Sequence, residues 1–201
     1  MITEVFFDVE TKKFFDEITT NNPADLGVSV VSVYQRTLDG KHNEIDGKMT
    51  SYWEADFLKM WPVFQNATRI IGFNSINFDV PALSPYSPSY FAKLNHFDIL
   101  AEVKKVFGKR ISLNAIAKET LSDYKNDSGE NAIIYWNRGD KESLDKLKFY
   151  CEKDVLITRD IYNFVMKNKK LKFKDKWNNP FEIDIDFSYP AENPEAQIGL
   201  F

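Results

Sequence analysis

Cysteine is almost absent from this chain: Cys151 is the only one among 201 residues. A lone thiol excludes an internal disulfide framework and suits a reducing compartment. Long apolar runs are missing too, so no segment approaches the length needed to cross a bilayer. The first residues turn acidic at Glu4 and carry no signal-peptide pattern, which gives the expectation of a cytoplasmic protein without a membrane partner. Neither sign of charge dominates, with 26 Lys+Arg against 30 Asp+Glu and a net charge of −4. The whole molecule therefore has no general attraction for nucleic acid. A local basic patch or a bound cation can still engage phosphates. Internal repeats and low-complexity tracts are also missing. What is present in quantity is core-forming material, 43% hydrophobic and 15% aromatic, enough for one α/β-sized domain.

The first half reads as strands. Residues 5–9, Val-Phe-Phe-Asp-Val, have strand propensity, and residues 26–34 alternate with β-branched side chains. Asp39-Gly40 signals a turn into a third strand at residues 42–49, giving an antiparallel meander that begins with the acidic strand. Residues 54–65 have a helical pattern with Phe57, Leu58, Trp61 and Phe64 on one side, and Pro62 is expected to kink or break it. A short apolar strand at 69–73 precedes a Pro- and Ser-rich loop at 81–89. The second half is mostly helical: 98–107 closing at Gly108, 113–121 capped by Ser112, a polar loop at 123–131, a short apolar-aromatic piece at 132–137, and the longest helix at 141–167. Weak strands at 171–174 and 181–187 and an extended tail follow. The pattern predicts an α/β fold, a mixed sheet of meander plus parallel strands flanked by helices, over residues 1–187, with a tail at 188–201.

Three places in this pattern carry carboxylates where apolar residues are expected. Asp8 and Glu10 share one face of the first strand, while Val5, Phe7 and Val9 share the other. Two adjacent carboxylates on such a strand repel and resist desolvation, which a divalent cation relieves. The alternative is a strand that ends in solvent, with Glu10 and Thr11 opening a loop. Asp79 follows the fourth strand, at the kind of strand end where α/β sheets build sites; it also precedes Val80-Pro81 and fits a helix N-cap. Tyr150, Asp154, Ile157 and Ile161 fall along one face of the longest helix, with Leu147, Cys151, Val155 and Thr158 beside them. An aspartate on that apolar face needs a pair or a metal, and Arg159 and Lys153 are poorly placed to supply one.

Asp8-x-Glu10, then Asn74-x-x-x-Phe78-Asp79, then Tyr150-x-x-x-Asp154 resemble, in order and spacing, the three motifs of the DEDDy 3′–5′ exonucleases. These belong to the ribonuclease H-like superfamily and include proofreading domains of family B DNA polymerases. Asp25-Leu26-Gly27, Phe97-Asp98-Ile99-Leu100 and Ser112-Leu113 followed by Ala115-Ile116-Ala117 are similar to a stand-alone bacterial and phage branch. The related histidine subclass has His five residues before its last Asp; that position here is Phe149, and His42 and His96 lie elsewhere. The resemblance implies two Mg²⁺ or Mn²⁺ ions, with Asp8, Glu10 and Asp154 on the first and Asp79 reaching a second that Asp8 bridges. It assigns Tyr150 to orienting the attacking water, and nucleoside 5′-monophosphates as products from a 3′ end; the leading expectation for the substrate is single-stranded or frayed DNA. Rival readings are an exoribonuclease and a non-catalytic module that binds nucleic acid or a replication protein.

Thr11, Asn74 and Phe78 are candidates for substrate contact, and Phe73 and Tyr86 for base stacking. Asn74 also suits a turn, and Asp98 suits an N-cap. Lys104, Lys105, Lys109 and Arg110, and the run Lys167, Lys169, Lys170, Lys172, Lys174 and Lys176, are candidates for phosphate contact or for a solvated face. The final residues Gln197-Ile198-Gly199-Leu200-Phe201 resemble the bacterial sliding-clamp-binding peptide, with Gln197, Leu200 and Phe201 as its anchors.

Overall fold

The acidic strand, β1 (Ile2–Thr11), is the middle of a five-stranded sheet. The computed structural model describes residues 1–122 and 129–190, the first two residues of the second stretch by their backbone alone. On one side β1 pairs antiparallel with β2 (Val28–Leu38), which pairs antiparallel with β3 (Glu44–Trp53). On the other side it runs parallel to β4 (Arg69–Gly72), and β4 runs parallel to β5 (His96–Asp98). The order β3-β2-β1-β4-β5 brings the ends of β1, β4 and β5 to one edge. This is the ribonuclease H-like arrangement of a mixed sheet flanked by helices.

Pleating sends the side chains of β1 to two cores. Val5, Phe7 and Val9 pack with Phe64 and Phe91 around α1 (Trp61–Gln65) and α2 (Asp79–Leu83). Phe6 packs on the other face with Val155, Ile161 and Tyr162 of α6 (Lys141–Asn168) and with α3 (Ile99–Phe107) and α4 (Leu113–Thr120). A smaller cluster joins Val30 of β2 to Leu147, Tyr150 and Cys151 of α6 and to Ala132 of α5 (Gly129–Arg138). Two further strands, β6 (Lys170–Lys174) and β7 (Pro180–Asp184), form a separate antiparallel ribbon. No described helix is long and apolar enough to cross a membrane.

Several expectations are corrected. Leu26 belongs to a 3₁₀ turn, Pro23–Leu26, rather than to a strand, because Gly27 turns the chain with φ of 66°. The single helix expected over 54–65 is a 3₁₀ segment, Glu54–Lys59, followed by α1; Pro62 sits in the first turn of α1, where its missing N–H costs nothing. Leu58, expected on the buried side, is 82% exposed as a consequence. The loop expected at 81–89 starts later, since Pro81 likewise fits the first turn of α2. The short piece at 132–137 is part of α5, a ten-residue helix.

At the end of β1 remote from Asp8, Glu4 is fully buried. Its carboxylate takes an ion pair of 2.6 Å from Arg36 and accepts the hydroxyls of Tyr162 at 3.0 Å and Tyr189 at 2.8 Å. Arg69 stacks on the Tyr189 ring and donates to the Tyr162 hydroxyl and the Phe187 carbonyl. That half of the strand has its charge neutralised by the protein itself.

Candidate active site

Asp8 and Glu10 project from the C-terminal half of β1 toward α6, on the face opposite Val5, Phe7 and Val9. The strand runs through Thr11, so these acids stand within the sheet and do not open a loop. Ligand atoms of Asp8, Glu10 and Cys151 lie within 4.8 Å of one another. The Cys151 thiol donates to the Asp8 carbonyl at 3.4 Å and approaches Asp8 Oδ2 at 3.7 Å. Burial, followed by the charges of Asp8 and Glu10, pushes that thiol well above its usual range, so it stands as a neutral donor between helix and strand.

Asp154 is one helical turn beyond Tyr150, and both are buried. Asp154 shares with Asp8 the wall of a cleft of about 570 Å³. Tyr150 packs with Val30 and Leu147.

Asp79 reaches the same place from the loop after β4. It is the first residue of α2, whose N-cap is Phe78, so the N-cap role expected for Asp79 is not what the structure has. The carboxyl is 3% exposed. Burial, then the neighbouring carboxylates of Asp98 and Asp154, pushes it up to about 8, against the backbone amides of Asp79 and Val9, which pull it down. The Val9 amide lies between Asp8 and Glu10 in sequence, so the three acidic segments converge on one strand end.

The loop that carries Asp79 is shaped by two features. Gly72 closes β4 where a side chain does not fit, since a Cβ there would lie 2.5 Å from the Ser75 Cβ. Asn74 then adopts φ of 65°, which asparagine tolerates. The buried carboxylate of Asp98 fixes this turn by accepting the amides of Asn74 at 2.8 Å and Ile76 at 3.1 Å, and it caps α3 by accepting the Ala101 amide at 3.2 Å. The N-cap role of Asp98 is borne out, and the same side chain also holds the turn, which sequence did not show.

The ends of these strands lie at one edge of the sheet, with buried carboxylates from β1, α2 and α6. A profile described as the RNase H superfamily matches residues 5–166. The chain belongs to the ribonuclease H superfamily. Searching curated proteins gave no match. Superfamily membership puts the chain with nucleases and nucleic-acid-binding proteins. Oxygen donors on Asp8 and Glu10, with the buried Asp79 carboxyl nearby held above its usual range by burial and by neighbouring carboxylates, fit a hard divalent cation.

The remaining candidates separate in space. Asn74 lines the large cleft, and its buried Oδ1 has no hydrogen-bond partner. Thr11 and Phe78 line a different, smaller cleft of about 210 Å³ with Phe15 and Ile133. Within it the Thr11 hydroxyl donates to the Lys13 carbonyl. Tyr86 is a core residue whose hydroxyl accepts the Val28 amide and whose ring meets Phe57 edge-on. In the lysine run, Lys169, Lys170, Lys172 and Lys174 pair with Asp186, Glu182 and Glu119, which favours the solvated-face reading there. Gln197, Leu200 and Phe201 lie outside the described residues.

Proposed function

We propose that this chain is a metal-dependent 3′–5′ exonuclease of the DEDDy type, acting on single-stranded or frayed DNA ends. The observation that carries the proposal is the convergence of Asp8, Glu10, Asp79 and Asp154, with Tyr150 one turn before Asp154 on the same helix. Asp8, Glu10 and Asp154 would hold one divalent ion, and Asp79 with Asp8 a second, either Mg²⁺ or Mn²⁺. Bound there, the pair supplies an acidified water and neutralises charge on the leaving oxygen. The chain's own part is to hold those carboxylates on three rigid elements. Tyr150 would orient the attacking water by hydrogen bonding, since a phenol is too weak an acid to serve as base unaided. Water oxygen bonds to phosphorus as the P–O3′ bond breaks, one water proton passing to the departing O3′. The products are a nucleoside 5′-monophosphate and a shortened strand with a new 3′-hydroxyl.

The tail motif completes the proposal: residues 197–201 would tether the enzyme to a bacterial sliding clamp, which favours DNA over RNA. Deleting Leu200 and Phe201 should abolish clamp binding and leave hydrolysis of short oligonucleotides unchanged.

The test uses 3′- and 5′-labelled single-stranded DNA and RNA of one sequence, with Mg²⁺, Mn²⁺ or EDTA, beside an Asp8→Ala variant. A ladder that shortens from the 3′ end and disappears with EDTA and with Asp8→Ala is the expected result, and the faster polymer identifies the substrate. Internal cuts, or no degradation with either metal, would sink the proposal.

A further inference from the structure

From the lining of the cleft that holds Asp8 and Asp154 we infer that Arg110 binds a backbone phosphate of the strand beside the scissile one, which rests on the nuclease reading above. Asp8 and Asp154 occupy one wall of this 570 Å³ cleft, and Arg110 is the only cationic side chain among its described lining residues. Arg110 is exposed and makes no ion pair or hydrogen bond with another described residue, so its guanidinium is available to a ligand. Of the basic residues nearby, Lys105 pairs with Glu102 at 2.6 Å, Lys109 leans on the Trp177 ring and Lys174 pairs with Glu119, and Lys104 is not among the residues that line the cleft.

The local electrostatics call for a cation at this position. A chain of net charge −4 draws no polyanion from a distance, and the carboxylates of the site repel one. A free guanidinium in the same cleft offers planar, two-pronged donation that matches phosphate oxygens. Ser112 and Leu113, the N-cap and first residue of α4, line the same side, so the partial positive charge of that helix end adds to it. The smaller cleft has a different lining, largely apolar, with Phe15, Phe78 and Ile133 beside Thr11 and the exposed Lys13. Of the two clefts, the one with Arg110 also holds Asp8 and Asp154, so the guanidinium takes the phosphate beside the scissile one.

The experiment compares wild type, Arg110→Ala, Arg110→Lys and Lys41→Ala, a control at the hairpin tip between β2 and β3. Each is assayed for hydrolysis of a 5′-labelled single-stranded oligonucleotide with Mg²⁺. Binding of the same oligonucleotide is followed by fluorescence anisotropy in EDTA over a range of salt. Arg110→Ala should raise KM about tenfold, leave kcat within about twofold, and reduce the slope of log affinity against log salt by about 0.7. Arg110→Lys should keep the slope, and Lys41→Ala should match wild type. An Arg110→Ala enzyme with wild-type KM and slope overturns the inference and leaves the nuclease standing. A fall in kcat alone with a lowered melting temperature also overturns it, as a structural effect. A wild type that neither binds nor shortens the strand removes the proposed function itself.

Discussion

Replacing Asp79 with asparagine should stabilise the metal-free protein while abolishing its activity. In the folded chain, burial and the carboxylates of Asp98 and Asp154 hold the Asp79 carboxyl near 8, against 3.8 when it is free. Between those values the folded state keeps a proton that the unfolded state has lost. Stability therefore falls as pH rises through that window. Each unit is worth about 1.4 kcal/mol, which makes the penalty at pH 7 about 2–4 kcal/mol and less than about 1 kcal/mol near pH 4. Asparagine resembles the protonated acid in size and polarity and carries no such penalty. For a chain of this size, roughly 2–4 °C per kcal/mol converts the gain to about 5–15 °C in Tm at pH 7. Thermal melts of both proteins in EDTA from pH 4 to 8 measure it directly. Added Mg²⁺ should then raise the wild-type Tm more than that of Asp79→Asn, because cation and proton compete for one carboxylate. A variant less stable than wild type throughout, or a gap that does not change with pH, would refute the reasoning.

Three further outcomes are expected. Arg36→Met strands the buried Glu4 carboxylate and should lower stability by about 3–5 kcal/mol in urea melts, with more than half recovered when Glu4→Gln is added; a loss under about 1 kcal/mol would mean the pair is not what neutralises Glu4. Gly72→Ala sets a methyl 2.5 Å from the Ser75 Cβ and 3.3 Å from the Phe7 ring, and should cost about 1–3 kcal/mol and much of the activity. Adding Ser75→Gly should restore both, and failure to do so would place the clash elsewhere. Asp98→Ala leaves three amides without their acceptor and should cost roughly 2–4 kcal/mol, with faster hydrogen exchange at Asn74 and Ile76; unchanged exchange there would remove Asp98 as the holder of the turn.

The parts of this molecule that repeat at short period were legible in the sequence. Alternation placed Asp8 and Glu10 on one face of β1, and helical periodicity put Asp154 and Tyr150 on the buried face of α6, as the structure has them. Asp39-Gly40 marked the hairpin of the meander. Pro62 and Pro81 misled because proline disfavours a helix interior but suits a first turn, and composition alone does not fix which applies. Partners distant in sequence were not legible. Nothing local to Cys151 says that its thiol meets Asp8, and nothing local to Asp98 says that it grips residues 74 and 76 while capping its own helix. Arg110 stood among neighbouring basic residues, and only its place in the lining of the cleft separates it from them.

One strand, β1, carries two opposite solutions to buried charge. At Glu4 an arginine and two tyrosines of the same chain close the problem as soon as the sheet forms. Asp8 and Glu10 stand instead where the proposed cation would bind, their ligand atoms within 4.8 Å of one another and of the Cys151 thiol. Along ten residues the molecule therefore grades from a finished end to a receptive one. In the proposed enzyme the cation adds cohesion at the receptive end, so a metal-free preparation should breathe there first. Amides near Val9 would exchange ahead of those near Glu4, and loading the metal would even out the gradient. What tightens that edge is the same event that readies it for substrate.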